Sequence, residues 1–272
     1  MGVPYAEVIG DPVEHSKSPL IHKFWLGQHG IEGDYRATRV TADELPGYFE
    51  ARRADPDWRG CNVTMPHKDR IGPLLDELEP GVFAVNCVVP REGRLIGKNT
   101  DTGGLDLAWP GIATDIPICI IGAGGAAKAA FDSLDVLCVY SFHLIARDPE
   151  QARLLLEPHG EYGRWFPFDQ AEQALAGCVG AVNASPLGME GFPEMPESVL
   201  AGLSGLRRSG FVLDMVYNPL ETALLRRAAH FGLVTIDGLI MLVGQASYSF
   251  YHFFGHPAPR EYDTELRKLL TS

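Results

Sequence analysis

The chain has 272 residues, 46% hydrophobic and 21% charged, and a formal net charge of −12 at pH 7. That length holds one large or two modest domains, each with its own core. The acidic balance argues against a general nucleic-acid or anionic-membrane surface, although charge is screened over about 8 Å, so a local cluster of donors can still hold a small anion.

No apolar run approaches the roughly 20 residues of a membrane span. The longest, Leu239 to Phe254, is broken by Gly244, Gln245, Ser247 and Ser249. The opening MGVPYAEVIGDP has no basic region followed by an apolar stretch, so no secretory signal is expected and the cytoplasm is the expected compartment. Five cysteines, Cys61, Cys87, Cys119, Cys138 and Cys178, stand singly. Their spacing predicts neither a disulfide framework nor a zinc site, and the four in apolar runs are expected to be buried.

In chain order, short apolar runs alternate with helical patterns. Tyr5 to Gly10, Tyr35 to Val40, Gly60 to Thr64 and Phe83 to Pro90 are expected strands, with helices over Pro19 to Gln28, Ala42 to Arg53 and Pro66 to Asp76. Such alternation belongs to α/β units. Regular patterning weakens from Thr102 to Asp115, where Gly103, Gly104, Pro110 and Gly111 fall, and this marks the domain boundary. Beyond it, strands are expected over Ile116 to Ile121, Phe142 to Ala146, Val179 to Ala184, Phe211 to Val216 and Leu233 to Ile236, with helices between. That spacing implies a parallel sheet covered on both faces. Two helical segments complete the chain from Leu239 to Ser272 and could pack on either block.

Ile118 to Lys128 reads strand, glycine turn, small-residue helix start. Gly122 permits the tight turn, Gly124 lets backbone approach a pyrophosphate, and Ala127 allows close helix–strand packing. The helix N-terminus then offers unpaired N–H groups to phosphates. A lone glycine motif is weak evidence, but the strand before it and the helix after it strengthen the case for a dinucleotide site. The next strand ends in Arg147-Asp148. Arg147 could stack on adenine and pair with a 2′-phosphate, whereas Asp148 could accept from a free 2′-hydroxyl and repel a phosphate. The two residues favour different cofactors; NADP is preferred narrowly, with NAD as the alternative.

The first block carries four polar islands. Glu14 to Pro19 places Ser16 and Ser18 before a helix, and Ser18-Pro19 suits an N-cap and first turn; Ser16 has no such role. Asn62 to Lys68 puts Asn62 and Thr64 on one side of a strand end and Lys68 in the expected first helical turn, where the dipole disfavours a cation. Catalysis would give that placement a reason. Asn86 is an amide inside an apolar strand. Gly97 to Gly104, containing Asp101, is dense in polar groups and glycine.

These islands and their order resemble the shikimate dehydrogenase family. GDPVEHSKSPLIH is similar to its serine motif and NVTMPHK to its lysine motif. AVN at 84–86, NTDTGG at 99–104, GAGGAA at 122–127, NASPLGM at 183–189, DMVYNPLETALL at 214–225 and MLVGQA at 241–246 follow in register, from about Val8 to Phe250. The resemblance implies an N-terminal α/β substrate domain (1–104), a Rossmann domain (105–237) and C-terminal helices (238–272) returning to the first domain, with the active site between domains. It implies reversible NADPH-dependent reduction of 3-dehydroshikimate to shikimate in aromatic amino-acid biosynthesis.

By the same resemblance Lys68 and Asp101 form the catalytic pair. Ser16 and Ser18 bind the substrate carboxylate, and Asn62, Thr64, Asn86 and Gln245 surround the ring hydroxyls, with Tyr217 nearby. The cofactor is held by Gly122, Ala123, Gly124, Gly125 and Ala126, by Arg147 and Asp148, by Asn183, Ser185 and Met189, and by Gly238 and Met241. The chemistry suits those residue types, because ketone reduction needs a general acid within hydrogen-bond reach of the oxygen.

The sequence departs from the family where Ala146-Arg147-Asp148 replaces the usual Asn-Arg-Thr, and the segment between Gly104 and Ile118 is short for the helix that usually links the domains. Quinate or aminoshikimate dehydrogenase with NAD is the alternative within the class, and a non-catalytic ligand sensor the alternative outside it. Intact Lys68 and Asp101 disfavour a sensor. No ligand-type cluster points to a metal, and His15 and His67 are read as surface or supporting groups. The expected partners are small molecules, in a monomer or homodimer.

Overall fold

The computed structural model describes residues 2–82, 84–111 and 115–272. The chain divides into two compact units, Met1–Gly104 with Leu242–Ser272, and Leu105–Met241. Among the described residues no helix is long and apolar enough to cross a membrane.

The first unit contains β1 (Tyr5–Gly10), α1 (Ser18–His29), β2 (Asp34–Arg39), α2 (Leu45–Arg53), β3 (Trp58–Val63), β4 (Glu77–Leu78), β5 (Cys87–Arg91) and β6 (Arg94–Lys98). A short helix, α3 (Asp101–Asp106), follows. The sheet order is β2-β1-β3-β5-β6-β4. β1 lies parallel to β2 and β3, while β5 runs antiparallel to β3 and β6. β1 is buried on both faces, and its residues alternate between two cores: Tyr5 and Ile9 join Cys61 and Val63, whereas Ala6 and Val8 join Cys87 and Phe253. A buried carboxylate, Glu7, shares the Tyr5 face and accepts from Tyr48 Oη at 2.8 Å and Arg52 Nε at 2.5 Å. Those partners offset the cost of burying its charge.

The second unit contains β7 (Ile118–Ile121), α4 (Gly125–Val136), β8 (Phe142–Ile145), α5 (Pro149–Leu156), β9 (Gly163–Phe166) and α6 (Ala171–Leu175). It continues through β10 (Gly180–Asn183), α7 (Glu197–Gly202), β11 (Phe211–Asp214), α8 (Ala223–His230) and β12 (Val234–Ile236). All pairings are parallel, in the order β12-β11-β10-β7-β8-β9. This is the doubly wound dinucleotide-binding order, with its reversal between β7 and β10. The alternation in β7 shows why a continuous apolar run is needed: Ile118 and Ile120 enter one core, Cys119 and Ile121 the other. The last two helices are α9 (Gly238–Phe254) and α10 (Asp263–Thr271). The division between units falls inside α9.

Most expected strands form within a residue or two of their anticipated bounds, though residue 83 lies outside the described residues. Cys61, Cys87, Cys119 and Cys178 are buried and Cys138 is exposed. Two expectations fail. No α-helix forms over Pro66 to Asp76, where consecutive turns lead to a single 3-10 turn, Gly72–Leu74. Pro66 and Pro73 lack N–H donors, and the Lys68 carbonyl accepts from Val85 N at 3.0 Å instead of from a following helical amide. The helix-dipole argument for Lys68 therefore lapses. Ser18 also does not cap α1: the helix includes it, Lys17 takes the cap position, and no side chain caps the start. β4, β6 and β9 have no counterpart among the expected strands. The β5–β6 hairpin turns through Glu92 and Gly93, both at positive φ, and Glu at such a position gives no sequence signal of the turn.

Candidate active site

One end of the first sheet gathers three of the four polar islands. Asn62 lies at the end of β3, Asn86 just before β5, and Thr100 and Asp101 just after β6. The pairing of β3 with β5, through Val63 N to Asn86 O at 2.8 Å, brings the first two together. Lys68 reaches the same place from the turns after β3, and its Nζ donates to Asp101 Oδ2 at 2.5 Å. Asp101 Oδ1 accepts from Asn86 Nδ2 at 2.7 Å, and Asp101 N donates to Asn99 Oδ1 at 2.9 Å. The Asp101 side chain is 7% exposed and that of Lys68 is 21% exposed, so the ammonium is the accessible half of the pair.

Asn62 and Asn86 are tightly tied. Tyr35 Oη donates to Asn62 Oδ1 at 2.6 Å, while Asn62 Nδ2 donates to Asn86 O at 3.2 Å and to Ser249 Oγ at 2.7 Å. The second Asn86 Nδ2 hydrogen goes to Thr100 Oγ1 at 3.0 Å, and Asn86 Oδ1 accepts from Thr100 N at 2.6 Å. Beneath this network His22 stacks on Tyr35 with ring centroids 4.0 Å apart. Burial pushes the His22 imidazole down to about 3, so it is neutral.

The serine loop is held by neighbouring contacts. Ser18 N donates to Ser16 Oγ at 3.3 Å, and Lys17 Nζ donates to the Leu270 carbonyl of α10. The hydroxyls of buried Ser18 and half-buried Thr64 have no partner among the described residues. In α9, Gln245 is 8% exposed and its Nε2 donates to Leu242 O at 2.8 Å. The α9 backbone comes close here: a Cβ on Gly244 would lie 2.9 Å from Gly104 Cα. His67 is fully buried, with Nε2 2.6 Å from Val40 O.

The second unit carries the glycine loop. Gly122 has φ +108, and a Cβ there would stand 2.9 Å from Ser185 Cβ and 3.0 Å from Ala184 O. Only glycine fits both the conformation and the space. This places Ser185 beside Gly122, Ala123 and Gly124, at the sheet's order reversal. α4 starts at Gly125 and Ala126 with Gly124 at the cap position and no side-chain cap, so among the described residues no side chain takes its first-turn amides. Arg147 is exposed and without a partner among the described residues. Asp148, by contrast, caps α5 by accepting from Glu150 N at 2.9 Å and Gln151 N at 3.3 Å.

Asn183 is fully occupied within the fold. Its Nδ2 donates to Leu187 O and Asp214 Oδ1, and its Oδ1 accepts from Ser185 N and Oγ. Asp214 also accepts from Val216 N at 3.0 Å and Thr222 Oγ1 at 2.6 Å. Burial raises its carboxyl, against the lowering by these bonds. Half-buried Met189 belongs to the loop that this knot holds. Tyr217 makes no hydrogen bond among the described residues, and burial raises its phenol. Gly238 and Met241 lie at the start of α9; a Cβ on Gly238 would meet Met215 O at 2.6 Å.

Sequence reasoning missed Tyr35, Thr100, Ser249, Asp214 and Thr222. The available signals were slight: Asp214 ends an apolar strand, and Ser249 stands one helical turn beyond Gln245.

Residues 8–88 match the family model for the shikimate dehydrogenase substrate binding domain. A shikimate dehydrogenase (NADP(+)) of Sphingopyxis alaskensis is 46% identical over 99% of this chain and 97% of its own length. The crystal structure of shikimate 5-dehydrogenase from Thermus thermophilus, in complex with NADP(H) and shikimate, is 33% identical with a TM-score of 0.83, covering 98% of this chain and 99% of that one. A quinate dehydrogenase from Corynebacterium glutamicum, in complex with NAD, is 27% identical with a TM-score of 0.85, over 98% and 99% of the two chains. A relative this similar over nearly the full length settles the kinship: this chain belongs to the shikimate dehydrogenase family.

Proposed function

We infer that this chain is an NADP-dependent shikimate dehydrogenase, interconverting shikimate and 3-dehydroshikimate. The observation that carries this reading is the Lys68–Asp101 pair, joined at 2.5 Å and buttressed by Asn86, in a chain 46% identical to an NADP-linked relative of that name.

The second unit suits a dinucleotide. Gly122 makes the tight turn against Ser185 and Ala184, a Cβ on Gly124 would meet open space, and the α4 amides carry no side-chain cap. Gly122, Ala123, Gly124, Gly125 and Ala126 would hold the pyrophosphate, and Arg147 the 2′-phosphate. Ser185, Met189, Gly238 and Met241 would line the nicotinamide side, with Asn183 shaping their loop. When bound, the nicotinamide supplies or takes the hydride.

The first unit handles substrate and proton. Ser18, whose hydroxyl has no partner among the described residues, and Ser16 receive the carboxylate. Thr64 offers its hydroxyl to the ring, and Asn62 offers the remaining lone pair of Oδ1, since both its amide hydrogens are used. Gln245 and Tyr217 complete the ring contacts. Lys68 donates the proton to the ketone oxygen during reduction and accepts it during oxidation. Asp101 aims the ammonium and takes a substrate hydroxyl, and Asn86 works by holding Asp101. A cytoplasmic location, a monomer or homodimer, and a role in aromatic amino-acid biosynthesis belong to the same proposal and rest on family membership.

The test is a screen of the purified protein with shikimate and quinate, each with NADP and NAD. The highest kcat/KM is expected for shikimate with NADP. A higher value for quinate with NAD would reassign the chain within its class, and binding without turnover would make it a sensor.

A further inference from the structure

We propose that Ser249 is a positioning residue for the shikimate site, fixing the Asn62 amide and the Thr100 hydroxyl from the side opposite the substrate. The inference rests on the functional reading above. Ser249 is fully buried in α9, and its hydroxyl joins two of the polar islands to that helix. It accepts from Asn62 Nδ2 at 2.7 Å, lies 3.1 Å from Thr100 Oγ1, and donates to the Gln245 carbonyl one turn back at 3.1 Å.

Hydrogen counting gives the chain a direction. Asn86 Nδ2 donates to Thr100 Oγ1, and the Thr100 proton has two acceptors in reach, Ser249 Oγ at 3.1 Å and Asn86 Oδ1 at 3.2 Å; with Asn86 Oδ1 already taken by Thr100 N at 2.6 Å, the proton is assigned to Ser249. The Ser249 proton goes to Gln245 O, leaving its two lone pairs for Thr100 and Asn62. Every capacity of that hydroxyl is then used. Together with Tyr35 Oη on Asn62 Oδ1 at 2.6 Å, it fixes the orientation of the Asn62 amide and leaves one Oδ1 lone pair over, and through Thr100 it steadies Asn86 and hence Asp101. A fully satisfied buried network of this kind specifies one arrangement of its members.

Ser249→Ala removes one oxygen with almost no change of volume. The Asn62 Nδ2 hydrogen then loses its partner, and the expected result is a roughly tenfold rise in KM for shikimate, the scale of one buried unpaired donor. kcat should fall less than about threefold and KM for NADP should stay within about twofold. Ser249→Thr keeps the hydroxyl and its bond to the residue four back, so it should recover most of the shikimate KM. In an Asn62→Ala background, Ser249→Ala should add less than about twofold, because the two act as one unit.

An unchanged shikimate KM in Ser249→Ala, with only a lower Tm, would overturn the proposal, as would equal losses with and without Asn62. Wild-type protein that neither binds nor turns over shikimate would overturn the functional reading first; normal wild-type turnover with an unaffected Ser249→Ala would overturn this inference alone.

Discussion

Arg147 and Asp148 sit side by side, and sequence alone assigns them opposite preferences. In the structure their tasks separate: Asp148 spends a carboxylate oxygen on the first turn of α5, and Arg147 remains exposed and unpaired among the described residues. Arg147 is therefore the residue available to a 2′-phosphate. Arg147→Ala should lower the NADP over NAD ratio of kcat/KM by roughly tenfold, the scale of a charge-assisted hydrogen bond. Asp148→Ala should instead cost about 1 kcal/mol of stability through loss of the cap and leave that ratio nearly unchanged. Steady-state rates with both cofactors, alongside urea unfolding, distinguish the two. A large gain of NADP preference in Asp148→Ala would show that the carboxylate reads the ribose after all. The same limit applies to Asn183 and Asn62. Their positions are legible as motif residues, but a sequence does not say which of an amide's hydrogens the fold has already taken.

At the scale of elements, the strands of the second unit are legible because burial on both faces demands unbroken apolar runs, as in Ile118–Ile121. The 66–76 segment is not, because its apolar spacing suggests a helix while Pro66, Pro73 and a long-range bond from Val85 N to the Lys68 carbonyl prevent one. Lys68 stands as a candidate on its motif, without the support of a helix dipole.

The packing of α1 on β2 leads to a pH effect. His22 faces Trp25, Tyr35, Phe250 and Phe253, all uncharged, and both its ring nitrogens lack hydrogen-bond partners among the described residues. Burial holds it near 3, against an ordinary 6.5. Between those values the unfolded chain binds the proton and the folded chain does not, so stability contributed by neutral His22 is full above about 6.5 and is lost as pH falls. The loss is about 1.4 kcal/mol per pH unit in that window. Urea unfolding at pH 7.5 and 5.0 should show this loss in the wild type and its absence in His22→Phe, which keeps the aromatic stack. Equal pH dependence in both proteins would contradict the assignment.

For the whole molecule, acidic charge and α/β alternation exclude broad classes but name no reaction. The strand order of the second unit identifies a dinucleotide fold, and fold alone leaves the chemistry open. The proposed reaction is assigned to the end of the first sheet, where β3, β5 and β6 bring Asn62, Asn86 and Asp101 together with Lys68. Those residues are scattered from position 62 to position 101 and meet only because β5 pairs with both β3 and β6. Motif order makes the set recognisable, and the sheet register accounts for their meeting.

In the proposed reaction Lys68, held by Asp101, moves the proton of an NADP-linked shikimate oxidation. The most direct measurement is shikimate-dependent NADP reduction by wild type and Lys68→Ala, with shikimate binding to both followed by calorimetry. Wild type should turn over, Lys68→Ala should have a kcat lower by about two to four orders of magnitude, and its shikimate affinity should stay within roughly tenfold. A variant that turns over at the wild-type rate, or one whose shikimate affinity falls far more than about tenfold while kcat at saturation stays intact, would mean that Lys68 does not move the proton.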